Sequence, residues 1–133
     1  MIKLLYLPLL FISYMVPGVS LTDPIDDVAA LIRKGDVHEL SAMFAASVEI
    51  SILNEENVYS KTQGELVLNK FFNENKPRSV KMVHRVNSNP NYYFGVIVVN
   101  TDKGAYRIAC TLKQADKRFE LIEMRIETEK TSH

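Results

Sequence analysis

The chain has 133 residues, with 16 Lys plus Arg against 16 Asp plus Glu, and no formal net charge. That length gives one domain able to bury roughly two thirds of its unfolded surface, so folding requires neither a metal nor a disulfide. No basic patch offers itself to a phosphate backbone, which removes nucleic acid from the expected partners.

Residues 1–20 read apart from the rest. Lys3 supplies a short positive region, and an apolar run follows from Leu4 to Val16, interrupted by Pro8 and Ser13. Pro17 and Gly18 end it, and Gly18-Val19-Ser20 places small residues where a signal peptidase reads. The expectation is a secretory leader cut before Leu21, with export to the periplasm or the medium. A retained membrane anchor is the alternative, but the run is shorter than the roughly 20 apolar residues that spanning takes. The domain proper is then residues 21–133.

In chain order, Thr22 or Asp23 caps a helix that has Pro24 in its first turn, with Ile25, Val28, Leu31 and Ile32 on one apolar face. Gly35-Asp36 interrupts it. A second helical segment follows, with Val37, Leu40, Met43 and Phe44 inward. Val48, Ile50 and Ile52 alternate with Glu49 and Ser51 as a half-buried strand. Asn54 to Asn57 reads as a polar turn. Ser60 and Gln63 form a capping box for a third helix, with Leu66, Val67 and Phe71 inward, joined by Leu68 and Phe72, and Pro77 stops it.

From Ser79 the period is two, and four strands follow one another. Helices first and consecutive strands after predict an α+β fold with an antiparallel meander. The turn Thr101-Asp102-Lys103-Gly104 suits a type I turn with a bulge at Gly104, which sets Tyr106 opposite Asn100. One face then carries Met82, His84, Val86, Phe94, Val96, Val98, Tyr106, Ile108, Cys110 and Leu112, and this face is expected under the helices. The other carries Tyr93, Gly95, Ile97 and Val99, rimmed by Lys81, Arg85, Arg107 and Thr111. An apolar centre with a charged rim marks an interface, so Tyr93, Ile97, Val99 and Arg107 are the expected contacts of a homodimer. A one-residue change of turn exchanges the faces. In the last strand Phe119 and Leu121 differ in parity from Ile122, Met124 and Ile126, which predicts a bulge near Leu121-Ile122.

Cys110 is the single cysteine, in phase with Ile108 and Leu112, and is expected buried as a small apolar residue. The candidates for chemistry lie on the face assigned inward. His84 and Tyr106 form a potential acid–base pair, and Tyr59, His84, Asn100 and Tyr106 a potential ligand-binding set. No carboxylate has a clear inward place, and a lone His on an apolar face is more often a hydrogen-bonded core residue. His38, His84, Cys110 and His133 have no metal-ligand spacing. Neither metal nor cofactor is expected. There is no Gly-rich phosphate loop and no serine-nucleophile motif.

The stretches GDVHELSAMFAASVEISI, YSKTQGELVLNKFF, PRSVKMVHR, YYFG, GAYRIACTLK and FELIEMRIE resemble a family of small exported bacterial NTF2-like, or cystatin-like, domains of unknown function. The resemblance covers nearly all of residues 21–133. It implies a conical half-barrel, with N-terminal helices packed on the concave face of a bent antiparallel sheet, and dimerisation through that sheet. It brings no catalytic motif. The expected function is a non-catalytic dimerisation module, or one that binds a small apolar ligand or an envelope protein. The alternative is a small isomerase, dehydratase or hydrolase using His84 and Tyr106.

Overall fold

The structure, a computed structural model, describes residues 23–130. The expected leader and His133 lie outside the described residues. The element order is α1 (Pro24–Lys34), α2 (Val37–Ser41), β1 (Phe44–Ile52), β2 (Glu55–Ser60), α3 (Lys61–Glu74), β3 (Pro77–Asn89), β4 (Tyr92–Thr101), β5 (Gly104–Ala115) and β6 (Arg118–Thr128). The six strands form one sheet in the order β2-β1-β6-β5-β4-β3. The three helices cover one face of it.

The helices form where the sequence signals place them. Asp23 caps α1 by accepting from the Ile25 N–H at 2.9 Å, and α1 buries Ile25, Val28 and Ile32. Ser60 and Gln63 close a reciprocal box at the start of α3, at 3.2 and 3.1 Å. That start fixes the helix phase. Gly64, Leu68, Phe71 and Phe72 turn inward, while Leu66, expected inside, is 65% exposed. A side chain at position 64 would meet the Phe44 ring at 2.8 Å, so the absent Cβ lets α3 lie close on β1.

Two elements differ from expectation. The second helix ends at Ser41, and Phe44, expected on it, opens β1 and is fully buried. The polar turn after β1 is a tight reversal into β2, an edge strand with Glu55, Glu56 and Asn57 exposed, so no apolar alternation announces it. The sheet is also not wholly antiparallel. β1 runs parallel to β6, with Ile50 opposite Met124.

The hairpin between β4 and β5 turns on Asp102 and Lys103 alone. Thr101 Oγ1 accepts from the Lys103 N–H at 3.0 Å and donates to the Gly104 carbonyl at 2.7 Å. Thr101 therefore pairs with Gly104, and Tyr106 with Val99. This register differs by one residue from the bulged turn expected, and it exchanges the faces of β4. Tyr93, Gly95, Ile97 and Val99 lie under the helices; Phe94, Val96 and Val98 lie on the outer face. β5 keeps its assignment, with Ile108, Cys110 and Leu112 buried. Gly95 shows why the faces lie this way. A side chain there would come within 2.5 Å of Ile25 Cγ2, so α1 rests directly on the β4 backbone.

β3 changes face midway. Met82 pairs with Ile97 and His84 with Val96, leaving Val83 as the extra residue of a bulge. Val80 and Met82 thus pack inward, while His84 and Val86 point out. The predicted bulge in β6 is present: Leu112 pairs with Leu121 and Thr111 with Glu123, which leaves Ile122 between them.

Candidate functional site

The residues singled out for chemistry do not converge. Tyr106 is inside, its ring edge-on to Phe71 at 5.0 Å and its hydroxyl donating to Asn75 Oδ1 at 2.8 Å. His84, expected beside it, is exposed on the opposite face of the sheet, edge-on to Phe94 at 6.4 Å. The bulge at Val83 is the physical reason. Asn100 is also outside, its amide donating to Ser79 Oγ at 3.0 Å. Tyr59 lines an open groove of about 360 Å³ between β2 and α3, with Val58, Gln63, Leu66 and Val67. The four expected ligand-binding residues therefore occupy three separate places.

The interior of the cone is filled. Phe44, Leu68, Leu112, Leu121 and Met124 are fully buried, with Phe71 and Phe72 behind them. Burial pushes the Cys110 thiol up to about 12. Among the described residues, no three of His, Cys, Asp and Glu gather as metal ligands.

The expected dimer contacts are also redistributed. Ile97 and Val99 are core residues, 2% and 0% exposed, and Tyr93 is half-buried against Phe119. None of the three presents itself to a second subunit, because the β4 register turns them toward the helices. Of that set only Arg107 is on the outer face.

The outer face has its own apolar stripe. Tyr92, Phe94, Val96 and Val98 run along β4, flanked by Val86 and His84 on β3 and by Ala109 and Thr111 on β5. Val96 is buried by these neighbours and not by the helices. The composition of β4, apolar on both sides, thus reflects one face under the helices and one face that no helix covers. The stripe is bordered by charge of both signs. Lys81 and Arg107 lie on β3 and β5. Glu49, Glu56 and Glu123 lie on β1, β2 and β6, with Arg125 among them 3.6 Å from Glu123. The Glu56 carboxyl beside Glu49 pushes the Glu49 carboxyl above its ordinary range, first through a shared hydrogen bond and then through charge repulsion.

Two polar clusters were missed in the sequence. Arg85 turns inward beside Gly95. Its guanidinium holds Asp26 with two bonds at 3.0 and 3.2 Å and lies 3.1 Å from Asp23 Oδ2. The two carboxylates raise the Arg85 pKa further. This ties the start of α1 to β3. The second joins α2 to α3. His38 Nδ1 lies 3.1 Å from Glu65 Oε2, and the Ser41 hydroxyl lies within reach of both Glu65 Oε1 and the His38 carbonyl. Here the carboxylate sits between serine and histidine, so the histidine cannot act as a base toward the hydroxyl. Both clusters join residues far apart in sequence, and only the helix capping at Asp23 hinted at either.

The profile of one protein family, described as a domain of unknown function (DUF4783), matches residues 25–127. Crystal structures of proteins from that family are similar to this chain. The one from Bacteroides uniformis is 19% identical with a TM-score of 0.76, covering 82% of this chain and all of its own. The one from Bacteroides ovatus is 20% identical with a TM-score of 0.74, covering 78% and 94%. A domain of unknown function with a cystatin-like fold from Nostoc punctiforme is 7% identical with a TM-score of 0.64, covering 80% of this chain and 74% of its own. These likenesses establish the NTF2-like, or cystatin-like, fold. Among curated proteins none matches the chain.

Proposed function

This chain belongs to the DUF4783 family of domains of unknown function, and we propose that it serves as an exported, non-catalytic assembly module, a homodimer joined through the outer face of its sheet. The observation that carries this reading is the β4 stripe of Tyr92, Phe94, Val96 and Val98, which no helix covers, in which Val96 is buried by its own neighbours, and which is bordered by charge. A contiguous apolar patch of this kind is uncommon on a monomer's surface and suits an interface. The filled interior supports a role without a buried ligand. The sheet between His84 and Tyr106 supports a role without acid–base chemistry.

The test uses the protein recovered after export. Light scattering gives a dimer for the wild type and a folded monomer for Phe94→Lys, whose charge would be buried unpaired at a cost of several kcal/mol of association energy. A monomeric wild type overturns the reading. N-terminal sequencing of the same material begins at Leu21 if the leader is cut as proposed.

A further inference from the structure

A cavity separate from the groove beside Tyr59 lies on the helix side of the sheet. It measures about 280 Å³ and opens where the end of α1, the start of α2, the last turns of α3 and the start of β3 meet. Its floor is apolar, made by Val37, Phe72 and Pro77, and the first two are buried. Its walls are polar: Lys34 ends α1, Asn69 and Asn73 lie one turn apart on α3, and Lys76 precedes β3. Among the described residues, none of these four side chains makes a hydrogen bond or an ion pair.

The charge there is one-sided. No carboxylate lines the cavity, whereas the groove at Asp26 and Arg33 and the one at Glu127 and Lys130 each set acid and base together. The neighbouring acids are already used. Asp36 accepts from the Glu39 N–H at 3.1 Å, and Asp102 accepts from the Lys76 N–H at 2.9 Å. A lysine near a helix C-terminus ordinarily answers the free carbonyls there. Here the Gly35 and Asp36 N–H groups donate to the Ile32 and Leu31 carbonyls, and Asn75 and Lys103 donate to those of Phe71 and Glu74. Both helix ends are thus served without Lys34 or Lys76.

We propose that this cavity binds a small anionic sugar, a single ring bearing a carboxylate or a phosphate. Lys34 and Lys76 take the anion, Asn69 and Asn73 take hydroxyls, and the floor of Val37, Phe72 and Pro77 lies under the ring. Each part answers a different part of the ligand. An ammonium donates strongly to a carboxylate or phosphate oxygen. An amide offers both a donor and an acceptor, which is what a hydroxyl requires. The apolar floor suits the C–H face of a sugar ring. The volume falls just below the roughly 300–1,000 Å³ of sites for drug-sized ligands, which leaves room for one ring and not for a chain.

Amide NMR of the protein recovered after export tests this, with glucuronate, glucose 6-phosphate, glucose and inorganic phosphate as probes. Glucuronate or glucose 6-phosphate shifts the Gly35, Asn69, Asn73 and Lys76 signals in a saturable way, and the tighter of the two tells carboxylate from phosphate. Lys34→Gln and Lys76→Gln each weaken that binding about tenfold, the loss of one hydrogen bond to a charged group. Both lysines are exposed, so the same variants keep the wild-type thermal midpoint. Equal binding of glucose takes the anion out of the proposal, and equal binding of inorganic phosphate takes the ring out; either overturns it. Undiminished binding by both lysine variants, or no saturable shift with any probe, overturns it as well. The homodimer stands or falls separately, since it rests on the outer face.

Discussion

Gly95 is the residue on which the two layers touch. The β4 backbone carries α1 there without an intervening side chain, and Ile25 fills the space a Cβ would take. Gly95→Ala is expected to destabilise the protein by about 1–3 kcal/mol, since the clash lies against a buried helix residue with little room to give. Urea unfolding reads this, and combining it with Ile25→Ala, which removes the clashing Cγ2, costs less than the two single losses added together. A fully stable Gly95→Ala would mean that α1 rides higher than described. Cys110 tests the same layer from β5. Its thiol, held near 12 by burial, is expected to resist thiol reagents in the native protein and to react promptly in denaturant. Rapid native labelling would place Cys110 on the outer face. Its burial was legible in the sequence, because Ile108, Cys110 and Leu112 alternate unambiguously. The side of β4 was not, because every residue from Tyr92 to Val99 except Gly95 is apolar and neither parity is polar. Only the turn chemistry at Thr101 fixes it, and Gly104 invited the wrong turn.

Among the elements, those with strong punctuation were readable and those set by tertiary pairing were not. Pro24, Gly35-Asp36 and the Ser60–Gln63 box mark α1, α2 and α3 because caps are local chemistry. β2 escaped because an edge strand with polar residues has no apolar period to show. The bulge at Val83 escaped because Val80, Met82, His84 and Val86 keep a perfect alternation that the structure breaks. That bulge dissolved the supposed His84–Tyr106 pair. The contact between α2 and α3 yields a prediction of its own. Glu65 raises the His38 pKa above 6.5, chiefly through their hydrogen bond, and the same bond with His38 lowers Glu65 below 4.5. The His38 contribution is full below 6.5 and fades as pH rises through its folded value. The Glu65 contribution is full above 4.5 and fades as pH falls through its folded value. Their joint stabilisation is therefore greatest between 4.5 and 6.5. Thermal melts of wild type and His38→Ala should differ most inside that window and converge on both sides. A difference that does not change with pH would show that the ring acts by packing alone. The effect is small, as His38 is largely exposed and Glu65 only half-buried, so water screens the pair.

At the scale of the whole molecule, the family fold was legible from order alone: helices, a strand, a capped helix, a bent meander. The similarity of the Bacteroides structures bears this out. What order did not reveal is how the sheet is joined. β1–β2 comes early in the chain and β3–β6 late, and the two parts meet at a single parallel seam between β1 and β6. The seam carries Ile50, Met124 and Ile126, all fully buried or nearly so. Its consequence is kinetic. The β1–β2 hairpin is marginal as a separate unit, since two strands alone rarely hold in water. It must wait for β6, which a chain emerging from its N-terminus makes last. Closing that large loop loses chain entropy before the seam gives any return, so folding should be slow for a protein of this size and nearly all-or-none. Until the final strand is released, the chain has no finished core, and it remains threadable.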